Sequence, residues 1–161
     1  MSVVELGGGS SPRHCRKYGN GINVDVRPMD TVDVVADFEK PFPLASTEYD
    51  LVYSAYCIEH VSWRNVKQFI KEIYRILRPS GRTVIITANL LEQCRVVVNS
   101  QVWEENFSCM LFGDQNYGEN SHKCGFSPEY AIKLFKEVGF ATVNVVPLPQ
   151  CQTDMIVEAV K

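Results

Sequence analysis

The sequence predicts an α/β fold with a mostly parallel seven-stranded sheet, an antiparallel C-terminal strand and helices reduced on one face. Three observations lead to this prediction: seven apolar runs have the length of strands, amphipathic segments separate the later runs, and a proline-rich turn joins the last two. Strands joined by helical crossovers lie parallel, whereas strands joined by a short turn lie antiparallel. The length of 161 residues fits one domain, residues 1–161.

The first predicted strand, residues 3–6, runs into the glycine-rich turn Gly7-Gly8-Gly9. Glycine permits positive φ angles there and leaves room for a ligand, because it has no Cβ. The polar segment 11–21 contains proline and glycine but no apolar stripe, so we expect a loop or at most a short turn of helix.

Three further strands are predicted at residues 22–26, 32–37 and 49–54. The last of them is a nearly continuous apolar run, which is typical of a strand buried in a parallel sheet. Polar side chains stand at or near the ends of these strands, namely Asp25, Asp37 and Ser54.

The clearest helix is predicted at residues 63–77, where apolar residues recur at helical spacing and residues 78–81 stop the helix. A fifth strand follows at residues 83–88. Segment 89–126 is the least regular part of the chain. We expect an insertion with one or two short helices, since a structureless loop of this length is unusual.

The C-terminal part is predicted to form a helix and two strands. Ser127 is a good capping residue, Pro128 suits the first helical position, and Gly139 suits the residue after the helix. The two strands are expected at residues 141–146 and 154–160.

Charge and hydropathy exclude several kinds of partner. The formal net charge of −3 gives no basic footprint, although a small basic segment contains Arg13, His14, Arg16 and Lys17. We therefore expect no nucleic-acid partner. No apolar run approaches the roughly 20 residues that span a bilayer, and a strand rather than a leader begins the chain. We expect no membrane partner and a cytoplasmic location.

The six cysteines are scattered and form no C-x-x-C pair, so we expect reduced thiols. Cys109, His122 and Cys124 are the candidate metal ligands. A second short-spaced pair of ligands is missing from the sequence, and we expect no metal site.

Polar groups at the strand ends predict a pocket for an adenosine-containing ligand, because open α/β sheets bind ligands beyond the carboxyl ends of their strands. The first strand offers Glu5 and the amides of the glycine turn. Asp25 can accept two hydrogen bonds from a ribose diol. Asp37 beside the aromatic face of Phe38 suits an adenine ring.

A nicotinamide dinucleotide fits the glycine turn less well. Pro12 occupies the place of the third glycine in G-x-G-x-x-G, and no helix is predicted to follow it. No helix N-terminus is then presented to a pyrophosphate. The sequence also lacks a P-loop, so an adenosine ligand without phosphate is favoured.

Motifs spread over nearly the whole chain resemble those of class I S-adenosylmethionine-dependent methyltransferases, in particular small type-11-like members. The matching segments are residues 5–9, 49–52, 58–61, 73–81 and 138–140, with Ser80 in place of a glycine. The resemblance implies a Rossmann-like fold and S-adenosyl-L-methionine as cofactor. The predicted cofactor-binding residues are Glu5, Gly7, Gly8, Gly9, Asp25, Asp37, Phe38 and Ser54.

The chain departs from the family in lacking the N-terminal helices and in having only short loops after the first two strands. One sheet face should therefore be thinly covered. We expect a homodimer or a partner subunit on that face, or a loosely held cofactor.

The activity implied by the resemblance is methyl transfer to a small-molecule or sugar-like acceptor, with segment 89–126 as the acceptor lid. His60 and His122 are candidate general bases because histidine takes up a proton near neutral pH. Tyr56 is expected to orient the acceptor. Glu59 receives no role. The alternatives are a catalytically inactive methyltransferase-like scaffold or regulatory subunit, and a nicotinamide-dependent oxidoreductase, which Pro12 disfavours.

Overall fold

The computed structural model describes residues 1–18 and 21–161. The strands are β1 (Val3–Leu6), β2 (Ile22–Asp25), β3 (Val34–Val35), β4 (Tyr49–Ala55), β5 (Leu77–Ala88), β6 (Thr142–Leu148) and β7 (Cys151–Val160). The helices are α1 (Val66–Ile76), α2 (Leu90–Ser100), α3 (Glu105–Phe112) and α4 (Pro128–Val138), with 3-10 helices at Cys15–Tyr18 and Ile58–His60. Gly19 and Asn20, which belong to the predicted first loop, lie outside the described residues.

The seven strands form one sheet in the order β3-β2-β1-β4-β5-β7-β6. β1 pairs in parallel with β2 and β4, and β4 pairs in parallel with β5. β7 runs antiparallel to both β5 and β6. The predicted Rossmann-like α/β fold with an antiparallel C-terminal strand is confirmed. The strand order reverses between β1 and β4, which is where open α/β sheets bind their ligands.

Several boundaries differ from the prediction; β7, for example, begins at Cys151 rather than at residue 154. The third strand, predicted at 32–37, has only the two residues of β3, because the Asp33 side chain rather than its carbonyl accepts the Asn23 amide, over 2.7 Å. α1 starts at Val66, and the predicted helical Trp63 lies before it with 62% exposure. β5 begins at Leu77, so the predicted helix stop at 78–81 belongs to an irregular part of that strand.

One face of the sheet is covered by α1 and α4. Their apolar stripes bury Phe69, Ile70 and Ile73 of α1 and Phe135 of α4 to 1% exposure or less. Side chains three and four residues apart share one side of a helix, so this spacing delivers them to the same core. Ser127 caps α4 by accepting the Tyr130 amide over 3.2 Å, as its sequence position predicts.

The opposite face is covered only in part. Cys15 of the first 3-10 helix packs on Val3 and Leu51 there. Residues directly opposite each other on paired strands share a face, so this face continues through Leu51 to Arg82 and onward to β7 and β6. Toward the β6 edge its polar side chains are exposed, namely Arg82, Thr142, Asn144 and Glu158.

The insertion contains two helices, α2 and α3, and then an irregular segment that returns to β5 through a parallel bridge between Asn89 and Phe126. Within the described part of the chain, no helix is both long enough and apolar enough to cross a membrane.

Candidate active site

Packing holds the glycine turn after β1 from both sides. Gly7 has a φ of 74°, and a Cβ there would lie 2.6 Å from the Cβ of Cys57. A Cβ on Gly8 would lie 2.2 Å from Oδ1 of Asn23. Any larger side chain would push this turn away from the carboxyl end of β1.

Asp25 lies beside the turn at the end of β2. Its Oδ2 accepts the Gly9 amide over 3.0 Å, and its Oδ1 accepts the Arg27 amide over 3.0 Å. A carboxylate has about four acceptor positions, so both oxygens keep capacity for a ligand. The two amides therefore fix the orientation of the Asp25 carboxylate and leave acceptor positions for a ligand.

A cavity of about 380 Å³, the first cavity, opens beyond the carboxyl ends of β1, β2 and β4. This volume lies in the range of small-molecule sites. Four of the predicted cofactor-binding residues line it, namely Gly7, Asp25, Asp37 and Phe38. The structure thus brings together polar and aromatic groups that lie as much as 31 residues apart in the sequence.

Phe38 and Asp37 form the wall of the first cavity after β3. Phe38 packs edge-on against Phe42 and Phe69, with ring centroids 5.8 and 5.7 Å away, so its ring is held in place. The hydrogen bond from the Glu39 amide and the nearby Lys40 ammonium lower the pKa of Asp37. This wall offers an aromatic surface beside an ionised hydrogen-bond acceptor.

The other four predicted cofactor-binding residues, Glu5, Gly8, Gly9 and Ser54, do not line the first cavity. Glu5 is 3% exposed, and its two oxygens accept the amides of residues 13, 14 and 15 over 2.8, 2.7 and 2.9 Å. Ser54 donates to the Leu6 carbonyl over 3.1 Å and is fully buried. The side chains of Glu5 and Ser54 therefore bind backbone groups next to the turn, and a cofactor contact of these four residues stays a prediction.

Replacement of Glu5 by glutamine is expected to lower the free energy of unfolding by about 1–3 kcal/mol, because an amide nitrogen cannot accept and leaves a buried N–H unpaired. Chemical denaturation measures the change. Glu48→Gln is the matched control, since Glu48 is exposed. Equal stability of the two variants would contradict the supporting role of Glu5.

Segment 117–123 of the insertion closes one side of the first cavity. The Tyr117 ring lies 3.8 Å from the Arg27 guanidinium, a cation–π contact to the loop after β2. Lys123 lies 3.6 Å from Glu39, which follows β3. These two contacts connect the insertion to the loops after β2 and β3 that line the first cavity.

A second cavity, of about 470 Å³, adjoins the first and shares Tyr56, His60 and Asn120 with it. All three residues predicted to be catalytic, Tyr56, His60 and His122, line this second cavity. It lies between the end of β4, the end of β5, the start of β7 and the insertion. Two spaces of small-molecule size therefore adjoin each other at the end of β4.

The two histidines lie together, with ring centroids 5.1 Å apart. Burial lowers the pKa of both His60 and His122, so both are neutral at neutral pH. Nδ1 of His60 lies 3.1 Å from the Ser121 carbonyl, which can only accept, so this nitrogen carries the proton and Nε2 is free to accept one. In the parts of the chain that the structure describes, no group of three or more His, Cys, Asp or Glu side chains is arranged to hold a metal ion.

Tyr56 follows β4 with a φ of 52°, which is rare for a residue with a bulky side chain. Its hydroxyl donates to Oδ2 of Asp154 over 2.8 Å. Burial and this carboxylate raise the pKa of Tyr56, so its hydroxyl stays protonated. The pair joins the end of β4 to β7 across the second cavity.

Sequence reasoning missed Glu59, Gln93 and Asp154, all of which line the second cavity. Glu59 is 2% exposed, and burial raises its pKa to about 7, although its own backbone, the nearby Thr87 hydroxyl and the Ala88 backbone act in the opposite direction. Its Oε2 has no hydrogen-bond partner in the described chain, and neither has Oε1 of Gln93. For Glu59, the sequence feature that could have indicated burial is its position among apolar residues just after the buried strand β4.

Comparisons with known proteins agree with the fold. A family model described as a methyltransferase domain matches residues 6–85. S-adenosylmethionine-dependent methyltransferases from Mesorhizobium loti and Archaeoglobus fulgidus superpose with TM-scores of 0.71 and 0.70, each at 15% identity. These superpositions cover 99% and 100% of this chain and 90% and 86% of the other chains.

A chain from the complex of the Haloferax volcanii Trm112 methyltransferase activator superposes with a TM-score of 0.63 at 17% identity, over 99% of this chain and 81% of the other. No curated protein sequence matches this one.

Proposed function

We propose that this chain, which belongs to the class I S-adenosylmethionine-dependent methyltransferases, binds S-adenosylmethionine in the first cavity and methylates a small molecule in the second. The observation that carries the proposal is the convergence of Gly7, Asp25 and Phe38 on one cavity at the reversal of strand order. The adjoining second cavity supports a transfer reaction, which needs both reactants side by side.

The residues of the first cavity fit the parts of this cofactor. Asp25 accepts hydrogen bonds from the two ribose hydroxyls, and Phe38 packs on the adenine ring with Asp37 as a nearby acceptor. Gly7 leaves the end of β1 open to the methionine part, because no side chain stands there. The family's use of S-adenosylmethionine supports these roles, which stay proposals for the individual residues.

The second cavity holds the acceptor, and segment 89–126 covers it as a lid. The bound cofactor supplies an electrophilic methyl group, and the protein supplies position and proton removal. The free Nε2 of His60 can take the proton from a hydroxyl acceptor such as a sugar. His122 lies against His60, and Tyr56 orients the acceptor from the Asp154 side.

Calorimetric titration with S-adenosylhomocysteine, the demethylated product, tests the cofactor site. We expect saturable one-to-one binding, because the product keeps the ribose, the adenine and the amino acid that the first cavity holds. Reduced nicotinamide dinucleotide is the control ligand, and it should not bind. Binding of the dinucleotide without binding of S-adenosylhomocysteine would replace this proposal with the oxidoreductase alternative.

A second candidate function is that of an inactive scaffold or a regulatory subunit. The sheet face that is exposed toward β6 favours a partner subunit or a second copy of the chain on that side. A structural neighbour that occurs in a complex with an activator supports the same idea. Light scattering gives the mass in solution. An inactive scaffold would bind S-adenosylhomocysteine weakly or not at all and would methylate nothing.

A further inference from the structure

The wall of the second cavity carries an excess of negative charge. Glu59, Asp114 and Asp154 line it, and its described lining residues include no lysine or arginine. The neighbouring Lys123 lies toward the first cavity, where it approaches Glu39. His60 and His122 contribute little positive charge, because burial lowers the pKa of each. An anionic acceptor would therefore be repelled from this space.

Two buried residues of the second cavity also carry oxygen atoms without a hydrogen-bond partner. Oε2 of Glu59 and Oε1 of Gln93 have no partner within the described chain, and these residues are 2% and 5% exposed. A buried acceptor without a donor costs about 1–3 kcal/mol, so such groups usually await a partner. Asp154 receives one hydrogen bond, from Tyr56, and keeps acceptor capacity.

These oxygens need a ligand that is rich in hydrogen-bond donors. A primary ammonium group offers three donors and a positive charge, whereas a hydroxyl group offers one donor and no charge. The amine is the better match to a site that combines carboxylates with unpaired acceptors. The size of the cavity, about 470 Å³, limits the acceptor to a small molecule.

We infer that the second cavity binds the amino group of a small amine, and that Glu59 removes the proton from this group before it is methylated. The inference rests on the function proposed above and narrows its acceptor from small molecules in general to amines. It also moves the role of general base from His60 to a residue that the sequence did not reveal.

The reaction balances without a further reactant. An ammonium group has no lone pair, so one N–H bond must break first, and its proton goes to the Glu59 carboxylate. The nitrogen lone pair then attacks the methyl carbon of S-adenosylmethionine. The C–N bond forms as the C–S bond breaks, and the bonding pair stays on sulfur. A base with a pKa of about 7 is suited to accept this proton near neutral pH and to release it to water.

A matched panel of acceptors tests the substrate class. The probes are benzylamine, 2-phenylethylamine and 1,4-diaminobutane, each beside the alcohol and the carboxylic acid of the same skeleton. Mass spectrometry records methylated products in the presence of S-adenosylmethionine. We expect N-methylated amines and no methylated alcohols or acids. Failure of every amine, with S-adenosylhomocysteine still bound by the protein, overturns this inference but leaves the cofactor proposal intact.

Glu59→Gln tests the base. It should lower kcat for benzylamine about 100-fold while KM and the affinity for S-adenosylhomocysteine change little. Aniline is unprotonated at neutral pH and needs no base before attack, so with aniline the loss should shrink to about tenfold or less. Glu137→Gln is the control, because Glu137 is exposed on α4, pairs with Lys67, and should leave both rates unchanged.

Asp154→Asn provides a second variant should Glu59→Gln fold poorly. It removes a charge that attracts the ammonium group but leaves the base, so KM for benzylamine should rise with little change in kcat. If Glu59→Gln lowered kcat equally with benzylamine and with aniline, the role of Glu59 would be structural, and its assignment as the general base would be overturned. An unchanged KM for benzylamine in Asp154→Asn would overturn the proposal that the second cavity binds an ammonium group.

Discussion

Replacement of Asp25 by alanine is expected to weaken the binding of S-adenosylhomocysteine by about tenfold to 100-fold. Hydrogen bonds to a charged group contribute about 1.5–3 kcal/mol, and each 1.4 kcal/mol corresponds to a factor of ten. The carboxylate lies in the first cavity with its orientation fixed by the amides of Gly9 and Arg27. The substitution therefore removes a preorganised acceptor and leaves the aromatic surface of Phe38 in place.

Asp33→Ala is the matched control for this prediction. Asp25 lies 3.9 Å from Nε of Arg27 and accepts backbone amides. Asp33 likewise accepts a backbone amide, that of Asn23, and pairs with an arginine, Arg16, but it does not line the first cavity. Calorimetric titration of both variants separates loss of a ligand contact from general loosening of the loops. Equal affinities of the two variants would remove Asp25 from the cofactor site.

The position of Asp25, Asp37 and Phe38 at one cavity could be predicted from the sequence, because parallel strands bring their carboxyl ends to one edge of a sheet. Glu5 does not line the first cavity with them, since successive side chains on a strand point to opposite faces. Val4 and Leu6 face α1 and α4, so Glu5 must face the other way, toward residues 13–15. Alternation along β1 was sufficient to predict this outcome.

The second cavity could not be predicted in the same way. Glu59 and Asp154 lie 95 positions apart in the sequence, and Gln93 belongs to an insertion without a clear period. Their burial depends on how α2 and the segment before α4 fold over the ends of β5 and β7, which is a tertiary property. A glutamate after a strand is usually solvated, and only the folded structure reveals that Oε2 of Glu59 is buried without a hydrogen-bond partner.

The type and order of the elements were easier to predict than their ends. Trp63 has the right spacing for the apolar face of α1 but lies in the turn before it, because periodicity cannot locate a helix start to within a turn. Likewise β3 lies at the predicted position but has only two residues, since the Asp33 side chain accepts the hydrogen bond of the Asn23 amide in β2.

Replacement of Arg75 by alanine is expected to lower the free energy of unfolding by about 3–5 kcal/mol, because it leaves a buried carboxylate without its partner. Arg75 donates to Glu72 over 2.8 Å and also to the carbonyls of Phe42 and Leu44. Glu72 is 6% exposed and accepts the Phe42 amide over 2.7 Å. One guanidinium therefore joins α1 to the connection between β3 and β4, and chemical denaturation measures its loss.

The difference in the free energy of unfolding between wild type and Arg75→Ala should depend on pH, because the Glu72 carboxylate must be ionised to pair with Arg75. Burial raises the pKa of Glu72, but hydrogen bonds from Arg75 and from the Phe42 amide, together with the charge of Arg75, outweigh burial, so the pKa lies below the ordinary 4.5. A carboxyl with a lowered pKa stabilises the fold above its unfolded pKa and loses this effect as the pH falls through the folded value. The difference between wild type and Arg75→Ala should be complete above pH 4.5 and should shrink below it.

Lys71→Ala, at an exposed position of the same helix, is the control. A difference that stays constant through this acid range would mean that Arg75 stabilises the fold by packing rather than through the Glu72 carboxylate.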